Sequence, residues 1–270
     1  MKNARDRKMK IVLQMVSGYG GEFKSWRMPG AVVDAYTNID NYVEKAKIAE
    51  RGKIHSLFIA DTPSLTNDIS INSPMHSLDP LLLLTAVARE TKHIGLVATY
   101  STTFNEPYNL ARHLKTLDIM SNGRAGWNAV TTSNPTTALN FGQHLPSRNV
   151  RYDMAHEHIS AVQSLWGSFG KDAYKLDATS GQFIDTNEVN LANYNGQYYQ
   201  TRGPLPIPPS PQYQPPIFQA GGGEKGIELA GRFASGVYAN PFTKEEALLQ
   251  RTLLRESAEA HGRNPNYIKM

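Results

Sequence analysis

Cysteine is missing altogether. Its absence excludes disulfides, thiolate nucleophiles and zinc–sulfur sites, and it suits a cytoplasmic protein. No apolar run approaches the roughly 18 residues that a membrane-spanning helix needs, so no membrane role is expected. The start, MKNARDRKMKIVLQMV, is basic, but Gln14 interrupts its short apolar run and no small-residue cleavage pattern follows. It reads as a disordered tail over 1–10 feeding a strand, not as a signal peptide. A basic stripe is lacking too: Lys2, Arg5, Arg7, Lys8 and Lys10 against Asp6 account for the whole net charge of +4. The balanced remainder speaks against nucleic acid as a partner. No G-x-S-x-G elbow occurs, which leaves acyl-transfer hydrolysis without support. His156-Glu157-His158 places its two imidazoles two residues apart, on different helix faces, so no metal site is expected.

What the chain does have is alternation. Its 270 residues, 40% hydrophobic, suffice for one large domain or two small ones. Apolar, β-rich runs lie at 11–16 (IVLQMV), 56–60 (SLFIA), 94–99 (IGLVAT), 125–131 (AGWNAVT), 217–220 (IFQA) and 236–239 (GVYA). Amphipathic helices are predicted at 39–51, 81–91, 109–120, 151–165, 226–233 and 244–260. Such an order implies parallel strands, either in an open doubly wound sheet or in a closed (β/α)8 barrel. The dinucleotide fingerprint that would mark the open sheet fails, because Gly18-Tyr19-Gly20-Gly21-Glu22-Phe23 has Phe23 where the third glycine belongs. Polar residues instead gather where strands end: Asp61, Thr99 to Thr103, Asn128 to Ser133, and Gln219 with Gly221 to Gly223. A barrel puts its site on that face, and the barrel is the preferred reading. The alternation breaks at 171–216, a Pro-rich insertion whose RGPLPIPPSPQYQPP holds seven of the sixteen prolines. It either shapes a pocket or is a surface excursion.

Four candidate features follow. Gly221-Gly222-Gly223, between a strand and a helix, either lets the backbone approach a phosphate or serves a steric turn. Asp61 either binds polar atoms or caps a turn. Arg148, Arg151, Tyr152 and His156 cluster at a helix start, with Tyr152 and His156 on one face, and the cluster is either an anion site or a solvated surface. The stretch GRAGWNAVTTSNPTTALNFG sets a large ring, Trp127, beside the amide of Asn128 at a strand end, a crowd of polar groups that a core would avoid.

Taken in order, SLFIAD, IGLVATYSTTFNEPYNLARHLKTLDIMSNGRAGWNAVTT, NFG, RYDMAHEHI, LWGS and GPLPIPPSPQYQPPIFQAGGG resemble the FMN-dependent monooxygenases related to nitrilotriacetate and dibenzothiophene-sulfone monooxygenases. These belong to the bacterial luciferase-like superfamily. The resemblance runs from about Val12 to Asn240. It implies an α/β fold of the (β/α)8 TIM-barrel type over 11–270, with FMN at the strands' C-terminal ends. It implies reduced FMN from a separate flavin reductase, and O2 activated as a flavin C4a-hydroperoxide that oxygenates a small organic substrate. It also implies a cytoplasmic homo-oligomer. The implied cofactor-binding residues are Asp61, Thr99, Ser101 and Asn128 around the flavin ring, and Arg148, Tyr152, Gly222 and Gly223 around the phosphate. No catalytic acid or base is assigned, and Tyr198, Tyr199 and Tyr213 are expected to line an aromatic mouth.

Three departures from that pattern stand out. Arg148 replaces the usual His four residues before the phosphate-contacting Tyr, and Gly222-Gly223 replace serines, which leaves only backbone donors in the turn. Relatives also continue with two further strand–helix units, so the barrel is expected to be incomplete at its C-terminus. Competing readings are an inactive remnant or binding module of the family, and a reductase using a deazaflavin.

Overall fold

The computed structural model describes residues 9–16, 19–22, 24–65, 68–74, 76 and 78–270. Most of the expected basic tail, together with Gly18 and Phe23 of the failed fingerprint, lies outside the described residues; Met9 and Lys10 are exposed. The chain divides into two compact units, Met1–Ala98 and Thr99–Met270.

The first unit contains β1 (Val12–Gln14), α1 (Ile39–Arg51), β2 (Ser56–Ile59), α2 (Pro80–Glu90) and the opening of β3 (Gly95–Ser101). β1 and β2 pair in parallel, as do β2 and β3, in registers Leu13↔Leu57 and Leu57↔Leu96. All four residues of β2 are buried, the mark of a parallel strand covered on both faces. β1 is the outermost strand of the sheet, and all three of its residues are exposed. Local chemistry sets the helix ends. The Asn38 side chain accepts from the Asp40 and Asn41 N–H groups to start α1, and Gly52 ends it. Asp79 accepts from Leu81 and Leu82, with Pro80 in the first turn of α2. The Glu50 carboxylate accepts three successive N–H groups, from Lys92, His93 and Ile94, at 2.9, 2.6 and 3.0 Å, and so ties α1 to the start of β3. A hollow of about 500 Å³ beside β1 and α1 is walled by Leu13, Met15, Val16, Ile48 and Ile54.

The second unit takes the end of β3 and continues through α3 (Pro107–Met120), β4 (Ala125–Val130), α4 (Pro135–Asn140) and α5 (Arg148–Trp166). The insertion supplies β5 (Tyr174–Asp177), β6 (Gln182–Ile184), β7 (Tyr194–Asn195) and β8 (Gln200–Thr201). Then come β9 (Ile217–Ala220), α6 (Glu224–Phe233), β10 (Gly236–Tyr238) and α7 (Lys244–Ala260). The strand order is β1-β2-β3-β4-β9-β10, with β4–β9 and β9–β10 parallel. Leu110, Leu114 and Leu117 of α3 and Ile159, Leu165 and Trp166 of α5 are fully buried, as is Trp127 of β4. A second cluster joins Ala230, Ala234, Val237, Leu254 and Ile268.

Every strand and helix predicted from periodicity has a counterpart within a few residues. α5 starts at Arg148 because Ser147 caps it by accepting from the Val150 N–H. α4 went unread: its six residues are too few to show a period, and only the cap Asn134 followed by Pro135 marks it. The insertion is mostly irregular, with two small antiparallel pairs, β5–β6 and β7–β8. Its first part closes on itself at a neck, where Phe169 bridges Val189 and the Gly170 N–H donates to the Glu188 carbonyl.

Candidate functional site

At the C-terminal end of β3, Thr99 and Ser101 are buried beside Asn128 of β4. Asn128 Nδ2 donates to Thr99 Oγ1 at 3.0 Å, and Ser101 Oγ accepts from Thr132 Oγ1 at 2.8 Å and from the Thr103 N–H at 3.1 Å. Thr132 holds a positive φ of 35°, a strained backbone that tends to sit at sites. Asn128 Oδ1 is buried with no hydrogen-bond partner among the described residues. Buried polar atoms are normally paired, so an acceptor left free at a strand tip calls for a donor. The neighbouring Trp127 answers why so large a ring sits here. Successive side chains of a strand alternate between faces. Trp127 therefore turns toward α5, packing against His158 at 5.6 Å and Trp166 at 6.5 Å, and its indole N–H donates to the Tyr100 carbonyl. His158 is fully buried, with Nε2 2.9 Å from the Asn105 carbonyl; burial pushes its pKa down to about 4, against that hydrogen bond, and the ring is neutral.

The polar set continues onto the next strand. Gln219 of β9 faces Ala129 across the ladder and is 2% exposed, with Oε1 unpartnered. Beyond it the chain enters the glycine turn. Gly221 has φ 155°, and a Cβ there would lie 2.8 Å from Gln219 Nε2 and 3.4 Å from the Tyr152 hydroxyl. A Cβ on Gly223 would come within 2.5 Å of Arg148 Nη2, and one on Gly226 within 3.3 Å of the Tyr152 hydroxyl. Arg148 and Tyr152 thus reach the turn itself, and a side chain on Gly223 would displace the Arg148 guanidinium. The Arg148 guanidinium also lies 5.7 Å from the centre of the Tyr152 ring. Gly223 is the N-cap of α6 and offers no side-chain acceptor. The first-turn N–H groups, the guanidinium and the phenol thus converge as donors on one turn, the arrangement that suits an anion. His156, one turn beyond Tyr152, meets Phe233 of α6 at 5.6 Å and stands 3.9 Å from Glu228. Its pKa is lowered, chiefly by burial, so it adds little positive charge.

The insertion is fastened to this unit at two places. Glu157 of α5 accepts the N–H groups of Gln197, Tyr198 and Tyr199 at 2.9, 2.8 and 3.3 Å. Tyr199 then donates its hydroxyl to the Thr102 carbonyl at 2.7 Å, at the tip of β3, and stands edge-on to His158. The other tie is at the far end of β4. Asp118 of α3 accepts from the Ala125 and Gln212 N–H groups, while buried Lys115 donates to the Trp166 and Tyr213 carbonyls. Burial lowers the Lys115 pKa to about 8, with Asp118 acting the other way. Tyr213 is therefore no part of an aromatic mouth: its carbonyl serves Lys115, and its ring lies over Lys115 and Lys171, at the opposite end of the strand from Tyr199.

In the first unit Asp61 follows β2 directly. Desolvation and then the charge of Asp79 raise its pKa to about 6, against the Thr62 N–H that it accepts. Thr62 Oγ1 lies 3.0 Å from His76 Nδ1, and burial holds His76 below its ordinary pKa. Among the described residues no cluster of three or more His, Asp or Glu is placed to hold a metal ion, and no described helix is long and apolar enough to cross a membrane.

Thus one unit brings together Thr99, Ser101 and Asn128, and beside them, through Gln219, the set Arg148, Tyr152, Gly222 and Gly223; Asp61 sits at a strand end of the other. Gln219 was readable as a polar strand end beside the glycine turn, though not as a candidate cofactor-binding residue. A parallel α/β sheet with unsatisfied amides at its strand ends and a donor-lined glycine turn forms a candidate small-ligand site at the position where barrels carry theirs. The chain belongs to the luciferase-like monooxygenase family, which it matches over residues 21–270. It is 40% identical over 259 residues to N-acetyl-S-(2-succino)cysteine monooxygenase of Bacillus subtilis (strain 168), covering 94% of this chain and 57% of the relative. It is 36% identical to nitrilotriacetate monooxygenase component A of Aminobacter aminovorans, covering 96% and 59%. Among solved structures it resembles riboflavin lyase with modified FMN and riboflavin, at a TM-score of 0.90 and 29% identity over 98% of this chain and 62% of that one. The chain thus spans just under three fifths of the curated relatives it matches.

Proposed function

We propose that this chain forms the flavin-binding part of a two-component monooxygenase, which uses reduced FMN from a separate reductase, and O2, to oxygenate a small organic substrate. The residues fit the cofactor. The orphaned acceptors Asn128 Oδ1 and Gln219 Oε1 match the N–H groups on the polar edge of a flavin ring, with Thr99 and Ser101 beside them. The observation that carries the reading is the uncapped N-terminus of α6, whose glycines are overlaid by Arg148 and Tyr152. A phosphate monoester is a dianion with several acceptor oxygens, and this turn offers donors and positive charge. Gly222 and Gly223 give backbone N–H groups only, so Arg148 supplies the charge that a serine hydroxyl would not. Asp61, at a strand end of the first unit, has its pKa raised to about 6 and so can hold a proton near neutrality.

Bound reduced FMN would supply the activation of O2. The chain's own work is to bind and orient the ring through Asn128, Thr99 and Ser101, and to anchor its tail at the glycine turn. The Tyr199-fastened insertion stands over the tip of β3, where it would restrict water. Relatives named as components of larger systems support a partner reductase. The test is a flavin titration of the purified chain, followed by oxygen consumption with a flavin reductase and NADH. FMN binding at micromolar or tighter affinity supports the reading, and no flavin affinity at all refutes it.

A further inference from the structure

β1 is an edge strand that lacks the usual protection. Its ladder to β2 runs from the Ile11 carbonyl, which accepts from the His55 N–H, to the Met15 N–H, which donates to the Phe58 carbonyl. Alternate residues of a parallel strand bond to the same neighbour, so the backbone groups of Val12 and Gln14 turn to the open side. Sheets normally blunt such an edge with charge, proline or a bulge, or cover it. Residues 11–16, IVLQMV, carry neither charge nor proline. Ile11, Val12 and Leu13 are 47%, 45% and 38% exposed. Beside this edge lies the hollow of about 500 Å³, with Leu13, Met15, Ile48, Ala49 and Ile54 on its wall, and Ile48 of α1 is half exposed. The edge offers backbone hydrogen bonds to a strand, and the hollow offers apolar surface to the stripe of a helix.

A second copy of this chain fits that surface poorly. Two β1 edges paired about a twofold axis would satisfy each other's backbone, yet each copy would bring its own hollow and no helix to fill it. A strand followed by a helix meets both needs, because a right-handed crossover lays the helix on the face of the sheet. The curated relatives hold about two fifths of their length beyond what this chain matches, ample for such a unit. We propose that β1 and its hollow dock a strand–helix unit from the counterpart of that unmatched length. The strand adds to β1 in parallel, as β2 does on the other side, and the helix seats apolar side chains against Leu13 and Ile48. Docking of this kind needs no flavin and is independent of the flavin reading above.

The test mixes the full chain with one probe, the polypeptide that makes up the unmatched part of the Bacillus subtilis relative. Sedimentation measures the complex, and hydrogen exchange maps it. An equimolar complex is expected, in which exchange at Val12 and Gln14 slows about tenfold or more. Met15, whose N–H is already bonded to Phe58, should change less. Ile48→Glu sets a charge against the docked helix from a position open enough for the chain to fold, and should weaken the complex about tenfold. Gln14→Pro removes an outward N–H and should weaken it as well. No complex, or one that neither protects Val12 and Gln14 nor responds to Ile48→Glu, overturns the proposal. Self-association of the chain alone that protects the same two amides also overturns it, because the edge then belongs to a second copy. None of these outcomes bears on flavin affinity, which is measured separately.

Discussion

Asp61→Asn should make the protein more stable, and only above a certain pH. The Asp61 carboxyl has an ordinary value of 3.8 and a folded-state value of about 6, raised by desolvation and by Asp79. Below pH 4 folded and unfolded chains both carry the neutral acid, and the group contributes nothing. Between pH 4 and 6 the unfolded chain gives up its proton first, so each unit of rising pH favours unfolding. Above pH 6 the penalty is complete, and a gap of about two pH units corresponds to about 3 kcal/mol. Asparagine has nearly the same shape as the protonated acid and never ionises. The difference between variant and wild type should therefore be constant below pH 4, grow from pH 4 to 6, and level off at about 2–3 kcal/mol in favour of the variant by pH 7.5. Urea unfolding of both proteins at pH 4, 5, 6 and 7.5, analysed by linear extrapolation, measures it. A difference that does not change with pH refutes the argument. A carboxyl kept at such a cost is the kind of feature that sites retain and stability alone would remove.

Other perturbations follow from the same geometry. Arg148→Ala should weaken FMN binding by about tenfold at low salt, with a smaller loss at high salt, because its contact is charge-assisted; an unchanged dissociation constant in fluorescence titration would count against the anion site. Tyr152→Phe removes only a hydroxyl from the turn, and should weaken FMN by about tenfold while leaving riboflavin unaffected. Glu157→Ala leaves three N–H groups without their acceptor, and hydrogen exchange at 194–201 should speed up by more than tenfold without a matching fall in global stability. Lys115→Ala opens a cavity and strands the Trp166 and Tyr213 carbonyls; a loss of about 3 kcal/mol in urea unfolding is expected, and a loss below 1 would contradict its role as a tie.

The strands and helices were legible because their signals are local. Buried parallel strands must be continuously apolar, as SLFI of β2 is. Helix starts were written in single residues such as Asn38, Asp79 and Thr243, each of which accepts backbone N–H groups. The glycine turn was legible as well, since three glycines between a strand and a helix leave few alternatives. Membership of the luciferase-like monooxygenase family was readable from ordered blocks. What stayed hidden depends on residues distant in the chain. Asp61 was recognisable as a strand-end carboxyl, but its altered proton affinity comes from burial and from Asp79, the cap of α2. Tyr213 looked like its aromatic neighbours until Lys115 and Asp118 drew it to the other end of β4.

The neck at Phe169 and Val189 has a practical consequence. Residues 170–188 leave and return at one point, while the ties made by Glu157, Tyr199, Gln212 and Lys115 all lie outside that excursion. Apart from Lys171, whose ammonium lies 5.4 Å from the centre of the Tyr213 ring, the excursion can be expected to vary in length and composition with little effect on those anchors. Grafting a different hairpin across that single junction is therefore the least disruptive way to re-tailor what the protein admits.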